Sequence, residues 1–211
     1  AWIGTGNKES ADKAATEAMR ERLNNMDFAG KIVIGEGIKD KSFGLFEGEC
    51  VGRLAEGVGE LIEAPNSELY ELAVDPIDGT RPTVTSGPEA ISVVAVGEKG
   101  SLFATSEFYM NKLAYGPEAA QKIELSLSDP VAKNIKLYSA VTGKDIAKIV
   151  VCLLDRPRHE KLIKELHGLG VRIKLIQDCD ISGAIACCLP ESGIDLLMGS
   201  GGSPEGVITA C

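Results

Sequence analysis

The feature that most constrains this chain is an alternation that begins at Ile149. Ile149 to Leu154 is a continuous apolar run with the length of a buried strand, and His159 to Leu169 carries its apolar residues at helical spacing. Val171 to Ile176 is strand-like again, Ile181 to Cys188 is a small-residue helix, and Ile194 to Met198 closes with a third strand. A short all-apolar strand needs cover on both faces, and a parallel neighbour is reached only through a crossover. A βαβαβ parallel sheet is therefore predicted, with ligands gathering at the C-terminal ends of its strands.

Upstream the pattern is less regular. Between Ser10 and Leu23 the residues Ala11, Ala14, Ala15, Ala18 and Met19 recur at helical spacing in an Ala-rich context, which predicts a helix. Lys31 to Ile34 reads as a strand running into Gly35-Glu36-Gly37. Leu72-Ala73-Val74 reads as another, stopping at Asp75-Pro76-Ile77-Asp78-Gly79-Thr80. Lys39 to Asn66 is weakly patterned and punctuated by glycine. Ala90 to Val96 and Leu102 to Tyr109, separated by the turn-like Gly97-Glu98-Lys99-Gly100-Ser101, predict an antiparallel hairpin, and Pro117 to about Lys136 reads as a linker. The expected organisation is an α/β domain over 1–117, a bridging segment over 118–148 and the βαβαβ part over 149–211.

Composition narrows the partners. Acidic residues outnumber basic ones by 31 to 22, a net charge of −9, which leaves no basic stripe for neutralising nucleic-acid phosphates. Apolar stretches such as Ile149 to Leu154 fall far short of the roughly 18 residues of a membrane span, so no membrane partner is expected. Six cysteines show neither a disulfide framework nor a CxxC metal knuckle, which points to a reducing, cytoplasmic setting. Cys152, Cys187 and Cys188 lie in apolar runs and read as core packing. The chain starts at Ala1 without an initiator Met and stops at Cys211 inside the apolar run Val207 to Cys211, so a fragment is expected.

The chemistry concentrates in carboxylates. Glu36, Asp75 and Asp78 each follow a short apolar strand in a turn containing Gly or Pro, where acids can point into a cleft. A hard divalent cation takes carboxylate, carbonyl and water oxygens, and phosphate oxygens from a substrate. Pro76 stiffens the turn, Asp78 can return beside Asp75, and Gly79-Thr80 can open a helix whose N–H groups receive phosphate. The plainer reading is a helix N-cap with a spare acid. Gly199-Ser-Gly201-Gly-Ser-Pro204 follows a strand like a dinucleotide loop, but Pro204 takes the third glycine position, and a phosphate or metal-ligand loop delivering Glu205 fits these residues better.

The string Asp75-Pro-Ile-Asp78-Gly-Thr80 resembles the metal-binding signature of the inositol monophosphatase and fructose bisphosphatase superfamily. Further strings narrow the resemblance: Trp2-Ile-Gly-Thr-Gly-Asn-Lys8 with Ala11-Asp12, Ile32-Val-Ile-Gly-Glu36-Gly, and Phe108-Tyr109-Met-Asn-Lys112-Leu. Arg156-Pro-Arg158-His159, Asp178-Cys-Asp180 and Gly201-Gly-Ser-Pro-Glu205-Gly-Val complete them. Together, in order and end to end, they resemble the class II fructose-1,6-bisphosphatases of bacteria and phototrophs. The resemblance implies an α/β, layered αβαβα-type sugar-phosphatase sandwich, truncated at both ends.

It also implies roles. Asp12, Glu36, Asp75, Asp78 and Glu205 would hold two or more Mg²⁺ or Mn²⁺ ions. Asp78, Gly79, Thr80, Tyr109, Arg156, Pro157, Arg158, Asp178, Cys179, Asp180 and Gly202 would contact the sugar phosphate. Carboxylates suit metals, guanidinium forks suit the second phosphate, and Asp178 or Asp180 can accept from sugar hydroxyls. Asp40, Thr80 and Lys8 are the candidate catalytic residues: Asp40 to assist the attacking water, Thr80 to position the phosphoryl group and Lys8 to contact a metal-bound phosphate. The chain departs from the family at Cys179, where glycine is expected, and after Gly37, where Lys39 and Lys41 replace acidic or neutral residues.

Each candidate has a plainer alternative. Lys8 can form an i,i+4 surface pair with Asp12, Tyr109 can be core, and Arg156 and Arg158 can be solvated loop charges. His159 reads as a helix-start residue rather than an acid or base, and His167 as solvent-facing. The implied reaction is hydrolysis of the 1-phosphate of fructose 1,6-bisphosphate, with sedoheptulose 1,7-bisphosphate as a second substrate. The expected assembly is a homo-oligomer, dimer or tetramer, in the cytoplasm, or in the plastid stroma of a phototrophic eukaryote. An inositol-type monophosphatase and a non-catalytic sugar-phosphate-binding protein are the rivals. The arginine pair argues against the first and the five retained carboxylates against the second.

Overall fold

Successive residues of a strand face opposite sides of its sheet, and the strand Val150–Leu154 (β6) shows what that demands. Val151 and Leu153 join one core cluster and Cys152 another, and all three are fully buried. In the strand Leu196–Gly202 (β8), Leu196 and Met198 go to the first cluster and Leu197 to the second. Both faces are therefore covered. On one, Ile135 and Tyr138 of the helix Val131–Thr142 (α4) and Leu166 of Glu160–Leu169 (α5) complete the core. On the other, Ala184 and Cys187 of Asp180–Cys187 (α6) do so.

This computed structural model describes residues 1–37, 43–55, 69–105 and 107–211. Its contacts divide the chain into two units, Ala1–Glu107 with Ala210–Cys211, and Phe108–Thr209. In the second unit, β6 pairs in parallel with Arg172–Ile176 (β7) and with β8, as the alternation predicts. The strand Tyr109–Tyr115 (β5) adds antiparallel to β8, giving the order β5-β8-β6-β7. The helix Ser203–Ala210 (α7) follows β8 directly.

In the first unit the helix Lys8–Asn24 (α1) is capped by Asn7, whose side chain accepts from the Ser10 N–H. Its Leu23 packs with Ile32 of Ala29–Ile34 (β1), Val51 of Cys50–Val51 (β2), and Leu72 and Val74 of Leu69–Asp78 (β3). Ile91–Glu98 (β4) completes a sheet of order β2-β1-β3-β4, in which only β1 and β3 run parallel. The α/β class holds, with two mixed four-stranded sheets.

Three expectations change. The hairpin does not form, although its turn does: Ser101 N–H donates to the Glu98 carbonyl at 3.0 Å, with Gly100 at φ 81°. The Leu102 N–H then turns to the Glu71 carboxylate at 3.3 Å, and the chain reaches strand conformation only at Tyr109, where β8 offers a ladder from Tyr109 to Tyr115. That ladder also puts the division between units at Glu107/Phe108, earlier than the expected boundary near 117. The expected linker and bridge are instead partly helical. Pro117–Ala120 (α3) and α4 bring Ala119, Ile135 and Tyr138 into the core of the second unit, so this segment belongs to that unit's sheet.

Candidate active site

Each unit carries its own share of the predicted residues. In the first, β3 ends in a bulge: Asp75 lies opposite Val93 and Asp78 opposite Ile91, one residue more on β3 than on β4. Pro76 sits in the irregularity, where its missing N–H costs no ladder bond. The Asp75 carboxylate accepts from the Ile77 N–H at 3.0 Å, fixing the turn, while Asp78 is buried and Asp75 half-buried. The acids thus lie within the irregular end of the strand rather than beyond it. Gly79 follows at φ 99°, ψ 52°, a left-handed conformation suited to glycine, and starts the short helix Thr80–Val84 (α2). Pro82 lies within that first turn and has no N–H, so the helix start presents one free N–H group fewer than a turn without proline would.

Two further acids belong to this unit. The Thr80 hydroxyl donates to Asp12 Oδ1 at 2.7 Å, joining α2 to α1. Glu36, just past β1, has its carboxyl raised above the ordinary 4.5, first by burial and then by the charge of Asp12. A carboxylate whose charge is disfavoured by burial and by a neighbouring acid suits a hard cation, whose charge offsets both penalties. Among the described residues no three His, Cys, Asp or Glu side chains are gathered as a metal cluster. A Mg²⁺-type site held by one or two carboxylates, completed by water and substrate phosphate, does not need one. Lys8 is exposed, and the i,i+4 ion pair on α1 joins Lys13 to Glu17 rather than Lys8 to Asp12. Asp40 lies outside the described residues.

In the second unit the residues after β6 and β7 meet. Arg156 Nη2 lies 2.5 Å from Asp178 Oδ1, a charge-assisted contact across the parallel strand ends. Pro157 opens a short 3₁₀ turn, Pro157–His159, that places the two residues after it on β8. Arg158 donates from Nε and Nη2 to the Ser200 carbonyl, at 3.0 and 2.8 Å, and its guanidinium stacks 4.6 Å from the Tyr109 ring centroid. Tyr109 is 68% exposed, so the core alternative for it does not hold. Arg158 also borders a cleft of about 390 Å³ with Lys161 and Asn111.

His159 is buried and bonded at both ring nitrogens. Nδ1 lies 2.7 Å from the Leu154 carbonyl, and Nε2 accepts from the Ser200 N–H at 2.8 Å, which assigns the neutral Nδ1–H tautomer. It acts as a structural clamp, in keeping with a helix-start residue. Cys179 adopts φ 68°, ψ 54° as the N-cap of α6, a left-handed conformation that suits the glycine expected there and costs a side chain about 1–2 kcal/mol.

Asp180 is buried, and its Oδ2 lies 2.6 Å from Nζ of Lys112, with side-chain exposures of 9% and 6%. Lys112 carries no expected role; its signals in the sequence are its place in the string Phe108-Tyr109-Met-Asn-Lys112-Leu and a lysine within a strand. Gly202 lies against the Glu205 carboxylate, where a Cβ would collide with it, and Glu205 Oε2 is buried without a hydrogen-bond partner. A carboxylate oxygen left in that state fits a cation ligand.

Comparison with known proteins agrees with these motifs. The family described as bacterial fructose-1,6-bisphosphatase, glpX-encoded, matches residues 1–211. The fructose-1,6-bisphosphatase 1 class 2 of Escherichia coli (strain K12) is 42% identical over 209 residues, which cover 99% of this chain and 58% of that protein. The fructose-1,6-bisphosphatase class 2 of Shigella flexneri gives the same identity and coverage. The chain therefore spans about 58% of the length of the curated relatives it matches.

Proposed function

Because the chain belongs to the glpX-encoded bacterial fructose-1,6-bisphosphatase family, we propose that it takes part in metal-dependent hydrolysis of the 1-phosphate of fructose 1,6-bisphosphate, giving fructose 6-phosphate and phosphate. The observation that carries this reading is the Asp75–Thr80 bulge-and-helix turn, whose Thr80 reaches Asp12, within a chain matched along residues 1–211. Two or more Mg²⁺ or Mn²⁺ ions, shared among Asp12, Glu36, Asp75, Asp78 and Glu205, would supply charge for the phosphoryl oxygens and acidify a bound water.

The chain's own residues do the rest. Thr80, anchored on Asp12 through its hydroxyl, orients the adjoining N–H groups towards the phosphoryl group, with Gly79 giving the backbone its close approach. Asp40 accepts the proton of the attacking water, and Lys8 offers a cation for a phosphate oxygen. Arg156, Pro157 and Arg158 hold the phosphate that stays, with Tyr109 bracing the second guanidinium. Asp178, Cys179, Asp180 and Gly202 form the sugar contacts. Sedoheptulose 1,7-bisphosphate, with the same primary phosphate ester, is the second substrate of the proposal, and its setting a homo-oligomer in the cytoplasm. No helix among the described residues is long and apolar enough to cross a membrane, and the six cysteines, all described, form no disulfide.

The test is the identity of the product. Fructose 1,6-bisphosphate incubated with the protein and Mn²⁺ should yield fructose 6-phosphate, resolved by ³¹P NMR. Fructose 1-phosphate would reverse the assignment of the two phosphate ends.

A further inference from the structure

Lys112 is the buried cation of the second unit that the proposed chemistry leaves unused. It comes from the middle of β5, opposite Gly199 of β8. Two glycines make its slot. A Cβ at Gly201 would collide with Asp180 Oδ2 and stand 3.1 Å from Lys112 Nζ, and a Cβ at Gly206 would stand 3.4 Å from Lys112 Cε. The ammonium is thus enclosed by the β8 backbone and the first turn of α7, and it ends on Asp180 Oδ2 at 2.6 Å. Such an enclosed ion pair loses most of the hydration of both partners, so stability alone is a poor reason for a chain to build it. What it does secure is orientation, since one carboxylate oxygen is engaged and the rotamer of Asp180 is set by a partner that cannot move aside.

We propose that Lys112 is a positioning residue: through its ion pair it holds the Asp180 carboxylate aimed, so that the oxygen not bonded to Lys112 accepts a hydrogen bond from a hydroxyl of the sugar phosphate. This rests on the proposed sugar-bisphosphate reading and adds a residue to it. Lys112 touches no substrate itself. Its contribution belongs to recognition of the sugar rather than to phosphoryl transfer, and it is therefore present in ground state and transition state alike.

The experiment compares wild type, Lys112→Met, Asp180→Asn and the double variant, each loaded with Mn²⁺. It reads kcat and KM for fructose 1,6-bisphosphate and the inhibition constants of fructose 6-phosphate and inorganic phosphate. Lys112→Met should raise KM and the fructose 6-phosphate constant about tenfold or more, the scale of a lost hydrogen bond to a charged group, with kcat changed less than about threefold. The inorganic phosphate constant should stay put, because phosphate has no sugar hydroxyl to offer. The double variant should be no worse than Asp180→Asn, since Lys112 acts only through that carboxylate. A parallel rise in both inhibition constants, a fall in kcat at constant KM, or additive effects in the double variant would overturn the proposal. Should Lys112→Met fail to fold with Asp180 left unpaired, the neutral double variant against Asp180→Asn decides alone: equal KM supports the proposal and a further tenfold rise refutes it. Failure of wild type to release phosphate from fructose 1,6-bisphosphate would instead remove the substrate reading beneath it.

Discussion

Thr80 Oγ1 donates a 2.7 Å hydrogen bond to Oδ1 of Asp12, so the first residue of α2 and the second turn of α1 are held together by one of the proposed metal-holding carboxylates. The bond fixes which Asp12 oxygen remains for a cation and aims the Thr80 backbone. Thr80→Val keeps the shape and deletes the donor. It should lower kcat by about ten to a hundredfold, the scale of a lost hydrogen bond to a metal-holding carboxylate, and cost stability only about 1 kcal/mol. Thr80→Ser should stay close to wild type. Steady-state kinetics beside a urea melt separate the two effects, and a Thr80→Val variant with wild-type kcat would remove Thr80 from the catalytic set.

Arg158 is oriented from two sides, by the Ser200 carbonyl and by the Tyr109 ring, as a group meant to present its remaining edge to an anion. Arg158→Ala should raise KM for fructose 1,6-bisphosphate by about ten to a hundredfold with kcat less affected, the pattern of a contact made equally in ground and transition states. Lysine, which lacks the fork and the flat face, should restore little of it. A loss confined to kcat would assign the arginine to the transferring phosphoryl group.

His159 ties the end of β6 to β8 through both ring nitrogens. Its removal leaves the Leu154 carbonyl and the Ser200 N–H short of a partner, at about 1–3 kcal/mol each. His159→Ala should therefore lower the urea midpoint by an amount equivalent to about 3 kcal/mol at unchanged slope. A shift below about 1 kcal/mol would mean that the clamp is not holding the strand ends.

Burial pushes the Cys187 thiol from its ordinary 9.0 up to about 12, with smaller contributions from Cys152, Cys188 and Asp195. The folded state thus favours the proton, and stability is undiminished below pH 9 and declines as pH rises from there towards 12. Cys187→Ala should show a shallower alkaline decline in urea midpoint than wild type. Cys188, unlike Cys152 and Cys187, is exposed and so departs from the expected core packing; at pH 8, iodoacetamide followed by mass spectrometry should label Cys188 and the exposed Cys211 and spare Cys187. Rapid labelling of Cys187 would contradict its place in the core.

Much of the second unit was legible because its signals are local. The runs Ile149 to Leu154 and Val171 to Ile176 needed cover on two faces, and the helices between them are amphipathic enough to give it. The acids of β1 and β3 were legible as strand-end carboxylates for the same reason. The hairpin failed because Gly97 to Ser101 does make its turn, whereas the partner of Tyr109–Tyr115 is chosen by a ladder with β8, far along the chain, that no local pattern records. The helix over Val131–Thr142 was hidden by a stretch of mixed polarity whose apolar residues make sense only against the sheet. Lys112 and the left-handed Cys179 were illegible on different grounds. A lysine in a strand reads as solvent-facing until its carboxylate partner is known, and a cysteine by itself carries none of glycine's warning of a positive φ, which came only from the glycine that the resemblance leads one to expect there.

Metal-dependent hydrolysis of a sugar bisphosphate is tested most directly by phosphate release from fructose 1,6-bisphosphate and from inositol 1-phosphate, before and after chelation with EDTA. The expected result is release from the bisphosphate well above the monophosphate, lost on chelation and recovered with Mg²⁺ or Mn²⁺, since burial and the charge of Asp12 both raise the Glu36 carboxyl and a bound cation would offset both. Undiminished release after chelation, or faster release from inositol 1-phosphate, would contradict it.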